Sequence, residues 1–235
     1  MRNEGVRLLR EGGMPALCSV AFGELECLPL LEAYFAGNAL SRLYWLGDAS
    51  LLQASLLAFF CSVRCPGALV LQAYDMARGL REAGVAVVGG FHTPMERDCL
   101  DILLRGEQPV VICPARGLER MRLSGAQRAA LREGRLLLVS PFEAGVRRAT
   151  AETAAQRNRL VVALARAVFV AHAASGGKTE SLCRDALAWG KPVFALDSPD
   201  NAHLLTLGAM PVRVEDAALM SRLVSSGSTP TAGAG

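Results

Sequence analysis

The main pattern in this chain is an alternation of short apolar runs with longer segments whose apolar residues recur at helical spacing. Runs of three to five apolar residues are typical of strands that are buried on both faces of a parallel sheet. They lie at 57–60, 85–88, 109–112, 136–139, 168–170 and 192–196, with a weaker one at 211–214. Helical spacing occurs at 67–83, 94–105, 124–133, 151–166, 178–189 and 201–207. The pattern predicts an α/β fold, with a doubly wound, mostly parallel sheet and helices on both faces.

The first fifty residues do not follow this alternation. Residues 28–39 have helical spacing, and residues 41–48 indicate a short strand followed by a turn. We therefore expect an N-terminal helical extension over 1–42 and a Rossmann-like domain over 43–224. Residues 225–235 contain only Ser, Gly, Thr, Pro and Ala, which is typical of a flexible tail.

Composition narrows the class of protein. With 51% apolar residues the chain can form a large core, and its formal net charge of +3 does not by itself indicate a nucleic-acid binder. The longest apolar stretch, 51–63, contains Gln53 and Ser55 and is too short to cross a membrane. The seven cysteines have no metal-ligand spacing, and several lie in apolar runs, as reduced thiols do. We expect a cytoplasmic protein with no membrane segment, no metal and no cofactor.

The turn after the run at 168–170 has features of a phosphate site. Small residues lead from a predicted strand into a predicted helix, where the first backbone N–H groups and the helix dipole favour an anion. The polar and glycine residues of this turn are Ser175, Gly176, Gly177, Lys178 and Thr179. A nucleotide-binding P-loop would need a glycine at the position of His172, so ATP hydrolysis is not expected.

Three other segments belong to the same predicted crevice, because the carboxyl ends of parallel strands meet at one edge of a sheet. The first carries Ser62 and Arg64, directly after a strand. The second is a turn with two glycines that precedes a helix. The third is a polar cluster on a helix. The candidate residues of the last two segments are Gly89, Gly90, Phe91, His92, Thr93, Arg157, Asn158 and Arg159. Arg157 and Arg159 are two residues apart on a helix, so at most one of them is expected to face the crevice.

In the order of these turns the chain resembles the SMF/DprA family. The resemblance runs from about residue 43 to 214 and is carried by Cys61-Ser62-Val63-Arg64, the Gly89-Gly90 pair, the Arg157-Asn158-Arg159 helix and the Ser175–Thr179 turn. It implies a non-catalytic protein that binds single-stranded DNA, often as a homodimer, and passes it to the RecA recombinase. We expect a basic groove of Arg64, Arg157 and Lys178, with Phe91 available to stack on bases.

This chain departs from the family's pattern at two places. The Gly-Ser-Arg of the family is here Cys61-Ser62-Val63-Arg64, so that the glycine is a cysteine and the arginine is displaced by one position. The family's residues after the glycine pair are replaced by 92–96. The chain is therefore similar to a short, divergent member.

Two alternatives use the same crevice. Residues 89–96 are similar to the Gly-Gly-x-Gly-Thr-x-x-Glu loop of LOG-type phosphoribohydrolases, with His92 in place of a glycine. In such an enzyme Glu96 would help to cleave the N-glycosidic bond of a nucleoside monophosphate. A nucleotide sensor without chemistry is the other alternative.

Overall fold

The seven apolar runs are strands of one nine-stranded sheet in the computed structural model, which describes residues 17–21, 42–119 and 121–226. The strands are β1 (Leu17–Ala21), β2 (Arg42–Leu46), β3 (Leu57–Phe60), β4 (Val87–Gly89), β5 (Val110–Ile112), β6 (Leu136–Ser140), β7 (Ala167–Val170), β8 (Val193–Leu196) and β9 (Met210–Val212). Their order across the sheet is β1-β2-β6-β5-β4-β3-β7-β8-β9. Strands β3 to β9 pair in parallel, whereas β2 runs antiparallel to β6 and β1 antiparallel to β2.

Helices cover both faces of the sheet. In the described residues they are α1 (Gly67–Glu82), α2 (Pro94–Leu103), α3 (Gly125–Arg132), α4 (Ala151–Leu164), α5 (Lys178–Ala188), α6 (Ala202–Thr206) and α7 (Ala217–Ser226). The alternation of side chains along each strand separates two cores: Leu57 and Phe59 pack with α1, α2, α3 and α7, and Ala58 and Phe60 pack with α4, α5 and α6. The predicted doubly wound α/β fold is confirmed.

The N-terminal region contributes a strand that the sequence pattern did not indicate. Leu17–Ala21 is β1, and it pairs in register with β2, from Leu17 opposite Leu46 to Ala21 opposite Arg42. This segment extends the sheet within the predicted helical extension. The predicted helix at 28–39 lies outside the described residues, as does the tail from 227 onward. Helix α7 was also not predicted.

The chain reverses its direction across the sheet at β3. From β3 it proceeds through β4 and β5 to β6 on one side, and it then returns to the other side of β3 for β7, β8 and β9. Such a switch point leaves a crevice between the loops that follow two adjacent strands, here β3 and β7. The topology therefore directs attention to residues 61–66 and 171–177.

Within the described residues no helix is both long enough and apolar enough to cross a membrane.

A buried lysine closes the C-terminal end of α4. Nζ of Lys191 donates hydrogen bonds to the carbonyl oxygens of Ala163, at 3.0 Å, and Ala165, at 2.5 Å, and the residue is 7% exposed. Helix ends leave carbonyl groups without helical partners, and a cation there is favourable. Burial, with a smaller effect from the charge of Arg166, lowers the pKa of Lys191 to about 8.

We expect Lys191 to make stability increase with pH above about 8. Because the pKa is lowered in the folded protein, between about pH 8 and the ordinary value of 10.5 the unfolded chain binds a proton that the folded protein has lost. The free energy of unfolding of the wild type minus that of Lys191→Met should rise in this window by up to about 1.4 kcal/mol per pH unit. Urea titrations from pH 7.5 to 10 measure the difference, and a flat profile would contradict it.

Candidate nucleic-acid interface

Ser62 joins the loop after β3 to the turn after β7. Its backbone N–H donates to the carbonyl oxygen of His172 at 2.9 Å, and its Oγ accepts from the N–H of Ala174 at 3.0 Å. The hydroxyl also donates to Oγ1 of Thr179 at 3.2 Å. These bonds bring the two loops of the switch point into contact, as their positions in the sequence predicted.

Helix α5 begins at this contact. Its N-cap is Gly177, which offers no side chain to the first N–H groups of the helix. A Cβ at Gly177 would lie 2.8 Å from the carbonyl oxygen of Ala174, and Gly176 has a φ of +68°, a conformation that glycine adopts without strain. Ser175 and Lys178 are exposed beside them. The turn therefore presents a helix N-terminus and an exposed cation to solvent.

Arg64 follows Ser62 by two residues in the loop after β3, and its side chain is exposed. The backbone bends at Val63 and Arg64 before α1 begins at Gly67. Val63 is 72% exposed, which is unusual for an apolar side chain. Arg64 and Lys178 are thus two cations on loops that share a hydrogen-bonded contact.

Glu180 already uses part of the anion-binding capacity of α5. Its Oε2 accepts from the N–H of Gly176 at 2.8 Å, and its Oε1 accepts from Nη2 of Arg184 at 2.7 Å. The Arg184 guanidinium, and then the Gly176 N–H, lower the pKa of the Glu180 carboxyl. The sequence reasoning did not identify Glu180, although an acidic residue in the first turn of a helix is a signal for such a cap.

The buried side chain of Asn201 holds the backbone at the start of the turn after β7. The sequence analysis did not identify this residue either. Its Nδ2 donates to the carbonyl oxygens of Ala171 and Leu196, both at 3.0 Å, and the residue is fully buried. Its Oδ1 accepts from the N–H of Ala173 at 3.4 Å and lies 3.2 Å from Nδ1 of His172. The ends of β7 and β8 are therefore tied together beneath the surface.

On the other side of β3, the carboxylate of Glu96 holds two loops from inside the protein. Its Oε1 accepts from the N–H of Cys61 at 2.9 Å, and its Oε2 accepts from the N–H groups of His92, at 3.0 Å, and Thr93, at 3.3 Å. Oγ1 of Thr93 accepts from the N–H of Glu96 in return, which completes a capping box at the start of α2.

These contacts bear on the chemistry that Glu96 can perform. Burial raises the pKa of its carboxyl, but the His92 side chain and the Cys61 N–H outweigh burial, so that the pKa lies below its ordinary value. The residue is 2% exposed, and both oxygens accept hydrogen bonds from the backbone. The Glu96 carboxylate therefore holds the loops after β3 and β4 together. It does not face the solvent, as the carboxyl group of a general acid would.

Arg157 is the second buried charge at this edge, and it is 1% exposed. Its Nη1 donates to the carbonyl oxygen of Cys113 at 2.9 Å, and its Nε donates to Oδ1 of Asn158 at 2.7 Å. Its Nη2 lies 3.1 Å from Nδ1 of His92, which in turn lies 3.3 Å from Oε2 of Glu96. Burial lowers the pKa of Arg157, while the charge of Glu96 opposes that change. The guanidinium is therefore held within the protein and is not offered to a phosphate.

Each glycine of the pair leaves space for a neighbouring side chain, Arg157 at Gly90 and Phe91 at Gly89. A Cβ at Gly90 would lie 1.8 Å from Nη1 of Arg157, and a Cβ at Gly89 would lie 2.9 Å from the ring of Phe91. Phe91 has a φ of +45° and is 5% exposed, and its ring packs on Phe59 with centroids 6.4 Å apart. Contrary to the expectation from sequence, this ring is not available to stack on a base.

Arg159 points away from the crevice. Its guanidinium lies over the ring of Trp189, 5.5 Å from the centroid, at the end of α5 opposite to the Ser175–Thr179 turn. The two arginines of the Arg157-Asn158-Arg159 helix therefore face different surroundings, as their spacing requires. Neither of them presents its guanidinium at the switch point.

The structure distributes the predicted site residues over several places. Those that line the contact between the β3 and β7 loops are Ser62, Arg64, Ser175, Gly176, Gly177, Lys178 and Thr179. Four of the others are buried in β4, the loop after it and α4, namely Gly89, Phe91, Thr93 and Arg157. Gly90 and Asn158 are half-buried there, His92 is exposed above the buried charges, and Arg159 lies over Trp189. Of the three cations expected to form a basic groove, Arg64 and Lys178 are exposed and Arg157 is buried.

Comparisons with known proteins agree with this fold. The model of the DNA recombination-mediator protein A family matches residues 31–222. The chain belongs to this family. A comparison with curated protein sequences gives no match.

Solved structures of similar fold include two members of the family. DNA processing protein A from Streptococcus pneumoniae is 21% identical, with a TM-score of 0.71 over 86% of this chain and 73% of that one. DNA processing protein A from Helicobacter pylori, described in terms of its single-stranded DNA binding mode, is 20% identical, with a TM-score of 0.69 over 86% of this chain and 93% of that one. The molybdenum cofactor binding protein of Rippkaea orientalis is 13% identical, with a TM-score of 0.53 over 73% of this chain and 98% of that one.

Family membership confirms the resemblance that the turns indicated. The Gly89-Gly90 pair and the Arg157-Asn158-Arg159 helix carried much of that resemblance, and in this chain Gly89 and Arg157 are buried. Motifs that identify a member of the family are thus not all parts of its exposed surface.

We expect Gly90→Ala to destabilise the protein by about 2–3 kcal/mol, because the new Cβ must displace the buried Arg157 guanidinium. Gly125→Ala, where a Cβ meets nothing within 4 Å, is the matched control and should change stability by less than about 1 kcal/mol. Urea unfolding measures both. Equal effects in the two variants would contradict the role assigned to Gly90.

We expect Glu96→Gln to cost about 2–3 kcal/mol at pH 7, because an amide cannot accept from the loops on both of its sides. The pKa of Glu96 is lowered, so its contribution is complete above the ordinary value of 4.5 and is lost as the pH falls through the folded-state pKa. The difference from wild type should therefore shrink as the pH falls below 4.5. Glu107→Gln, at an exposed position, is the control.

Proposed function

We propose that this protein binds single-stranded DNA of any sequence, without catalysis, at the contact between the β3 and β7 loops. The observation that carries the proposal is the bridge made by Ser62, which holds the Arg64 loop against the N-terminus of α5. An exposed arginine, an exposed lysine and the N–H groups of a helix N-terminus lie on the two segments that this bridge joins. This is a combination that recognises backbone phosphates.

The family and its relatives support the nature of the ligand. The family is named for a DNA recombination-mediator protein, and the Helicobacter pylori member is described by its single-stranded DNA binding mode. The chemistry of the site supports a polymeric phosphate more than a small nucleotide, since the described cations lie on two separate loops. Neutralised phosphates release counterions, so affinity will fall steeply with salt.

The same proposal includes a place for the protein in the cell. We propose that it acts in the cytoplasm and hands the bound strand to a RecA-type recombinase, as the description of the family as a recombination mediator suggests. We also propose a homodimer, on the resemblance alone. Sedimentation equilibrium measures the dimer, and strand exchange on protein-coated DNA measures the transfer.

The phosphoribohydrolase alternative is disfavoured by the position of Glu96. Both of its oxygens accept hydrogen bonds from backbone N–H groups, and the residue is 2% exposed. A nucleoside monophosphate at this edge would not reach a free carboxylate. Excess AMP is accordingly expected not to displace a bound oligonucleotide.

We expect the double variant Arg64→Ala/Lys178→Ala to weaken single-stranded DNA binding by about tenfold and to flatten the slope of log affinity against log salt by about 1.4, the value for two lost phosphate contacts. Fluorescence anisotropy with a labelled oligonucleotide at several salt concentrations measures both quantities. Competition by duplex and by AMP tests the preference for single strands.

The control for this test removes the same charge from the opposite edge of the sheet. Arg105 and Arg132 are exposed and follow or end helices α2 and α3 there, so Arg105→Ala/Arg132→Ala should leave affinity and salt slope unchanged. Equal losses in both double variants would mean that net charge, and not this site, governs binding. An unchanged affinity of the Arg64→Ala/Lys178→Ala variant would overturn the site.

A further inference from the structure

His92 is the exposed end of a chain of contacts that begins in the interior of the protein. Its side chain is 52% exposed, and its Nδ1 lies 3.1 Å from Nη2 of Arg157 and 3.3 Å from Oε2 of Glu96. Arg157 and Glu96 are both buried. The ring therefore has two buried charges of opposite sign at its inner edge and solvent at its outer edge. It belongs to the segment 92–96, where the chain departs from the family's pattern.

The backbone holds His92 beside the proposed DNA site. The N–H of His92 donates to Oε2 of Glu96 at 3.0 Å, and the N–H of Cys61 donates to Oε1 of the same carboxylate at 2.9 Å. The residue after Cys61 is Ser62, which makes the bridge to the turn after β7. Since β7, β3 and β4 are neighbours in that order, a DNA strand that crosses the Ser62 loop from the N-terminus of α5 arrives at His92.

The partners of Nδ1 decide which ring nitrogen carries the hydrogen. A guanidinium has only donors, so Nη2 of Arg157 requires Nδ1 to accept. Oε2 of Glu96 lies farther from Nδ1, and it already accepts from the N–H groups of His92 and Thr93. When Nδ1 accepts, the hydrogen of a neutral imidazole is on Nε2. The buried Arg157 therefore makes the outer edge of the ring a hydrogen-bond donor.

A donor at this position suits a phosphate of the DNA backbone. Within the described part of the chain, the polar contacts of the ring involve only Nδ1, so that Nε2 is left for a ligand. The charges of Glu96 and Arg157 beneath the ring offset each other, and a phosphate would meet no net repulsion from them. Most hydrogen bonds between proteins and DNA go to phosphate oxygens and sugars.

We propose that neutral His92 donates its Nε2–H to a phosphate of the bound single strand, and that Arg157 positions this donor without touching the DNA. The inference rests on the proposed function, because the strand is the one held at the contact between the β3 and β7 loops. It extends that site across β3 to the loop after β4. Arg157 is a positioning residue, which acts on binding through the tautomer of His92.

The first readout requires no DNA. The chain has three histidines, so long-range nitrogen–hydrogen NMR spectra of the imidazole rings contain few signals, and His92→Gln identifies those of His92. At pH 8 the ring hydrogen of His92 should be on Nε2, and Nδ1 should have the chemical shift of an acceptor nitrogen. A hydrogen on Nδ1, or one on each nitrogen, would overturn the proposal.

The same spectra test the role of Arg157. In Arg157→Met the remaining polar partner of Nδ1 is the Glu96 carboxylate, which can only accept, so the hydrogen should move to Nδ1. An unchanged tautomer in a folded Arg157→Met protein would overturn the positioning role. Should this variant not fold, the wild-type tautomer and the two His92 variants below decide the proposal.

The second readout is affinity for a single-stranded oligonucleotide at pH 8. His92→Leu should bind about threefold to tenfold more weakly than wild type, the loss expected for one hydrogen bond. A neutral donor releases no counterion, so the slope of log affinity against log salt should stay as in wild type, in contrast to Arg64→Ala/Lys178→Ala. His92→Gln is the matched control, since its amide nitrogen can replace Nε2 as donor, and it should bind nearly as wild type does.

The outcomes separate this proposal from the proposed function. Unchanged affinity of His92→Leu, equal losses in His92→Leu and His92→Gln, or a flatter salt slope in His92→Leu would each overturn the role of His92. The proposed function is judged by Arg64→Ala/Lys178→Ala, which should lose affinity whichever result His92 gives. A wild type that binds no oligonucleotide would overturn both, even with the ring hydrogen on Nε2.

Discussion

The carboxyl edge of the sheet depends on two buried charges, Glu96 and Arg157. A charge removed from water must be hydrogen-bonded within the protein, or the fold loses several kcal/mol. Glu96 meets this requirement with the N–H groups of Cys61 and His92, and Arg157 meets it with the Cys113 carbonyl oxygen. The loops after β3, β4 and β5 are consequently fixed to one another from within.

This constraint explains why the crevice is divided. On the β4 side of β3 the polar groups are occupied by each other, and Gly90 is small because the guanidinium of Arg157 needs its space. On the β7 side the hydroxyl of Ser62 makes the contacts between loops, so that Arg64 and Lys178 remain exposed. The hydrogen-bonded β4 side of the crevice supports the β7 side, on which the proposed binding depends.

The same division applies to the motifs of the family. The glycine pair and Arg157 belong to the motifs by which the chain resembles its family, and here Gly90 packs against the buried Arg157 guanidinium. The Ser175–Thr179 turn has the opposite character, since its glycines leave helix N–H groups open to solvent. Glu180 accepts a hydrogen bond from the N–H of Gly176, so that this N–H group is already occupied.

The hydrophobic pattern of the sequence by itself determined the architecture. Continuous apolar runs can be buried only as strands with helices on both faces, so strands β3 to β9 and helices α1 to α6 lie within a few residues of their predicted bounds. Strand β1 gave no such signal, because a strand at the edge of a sheet is only partly buried and need not be continuously apolar. Only the tertiary structure decided which polar residues face solvent. Gly90, Phe91 and Arg157 suit a phosphate site by residue type. Phe91 and Arg157 are nevertheless buried, and Gly90 faces the Arg157 guanidinium, because segments up to 67 positions apart meet there, and local sequence carries no record of such contacts.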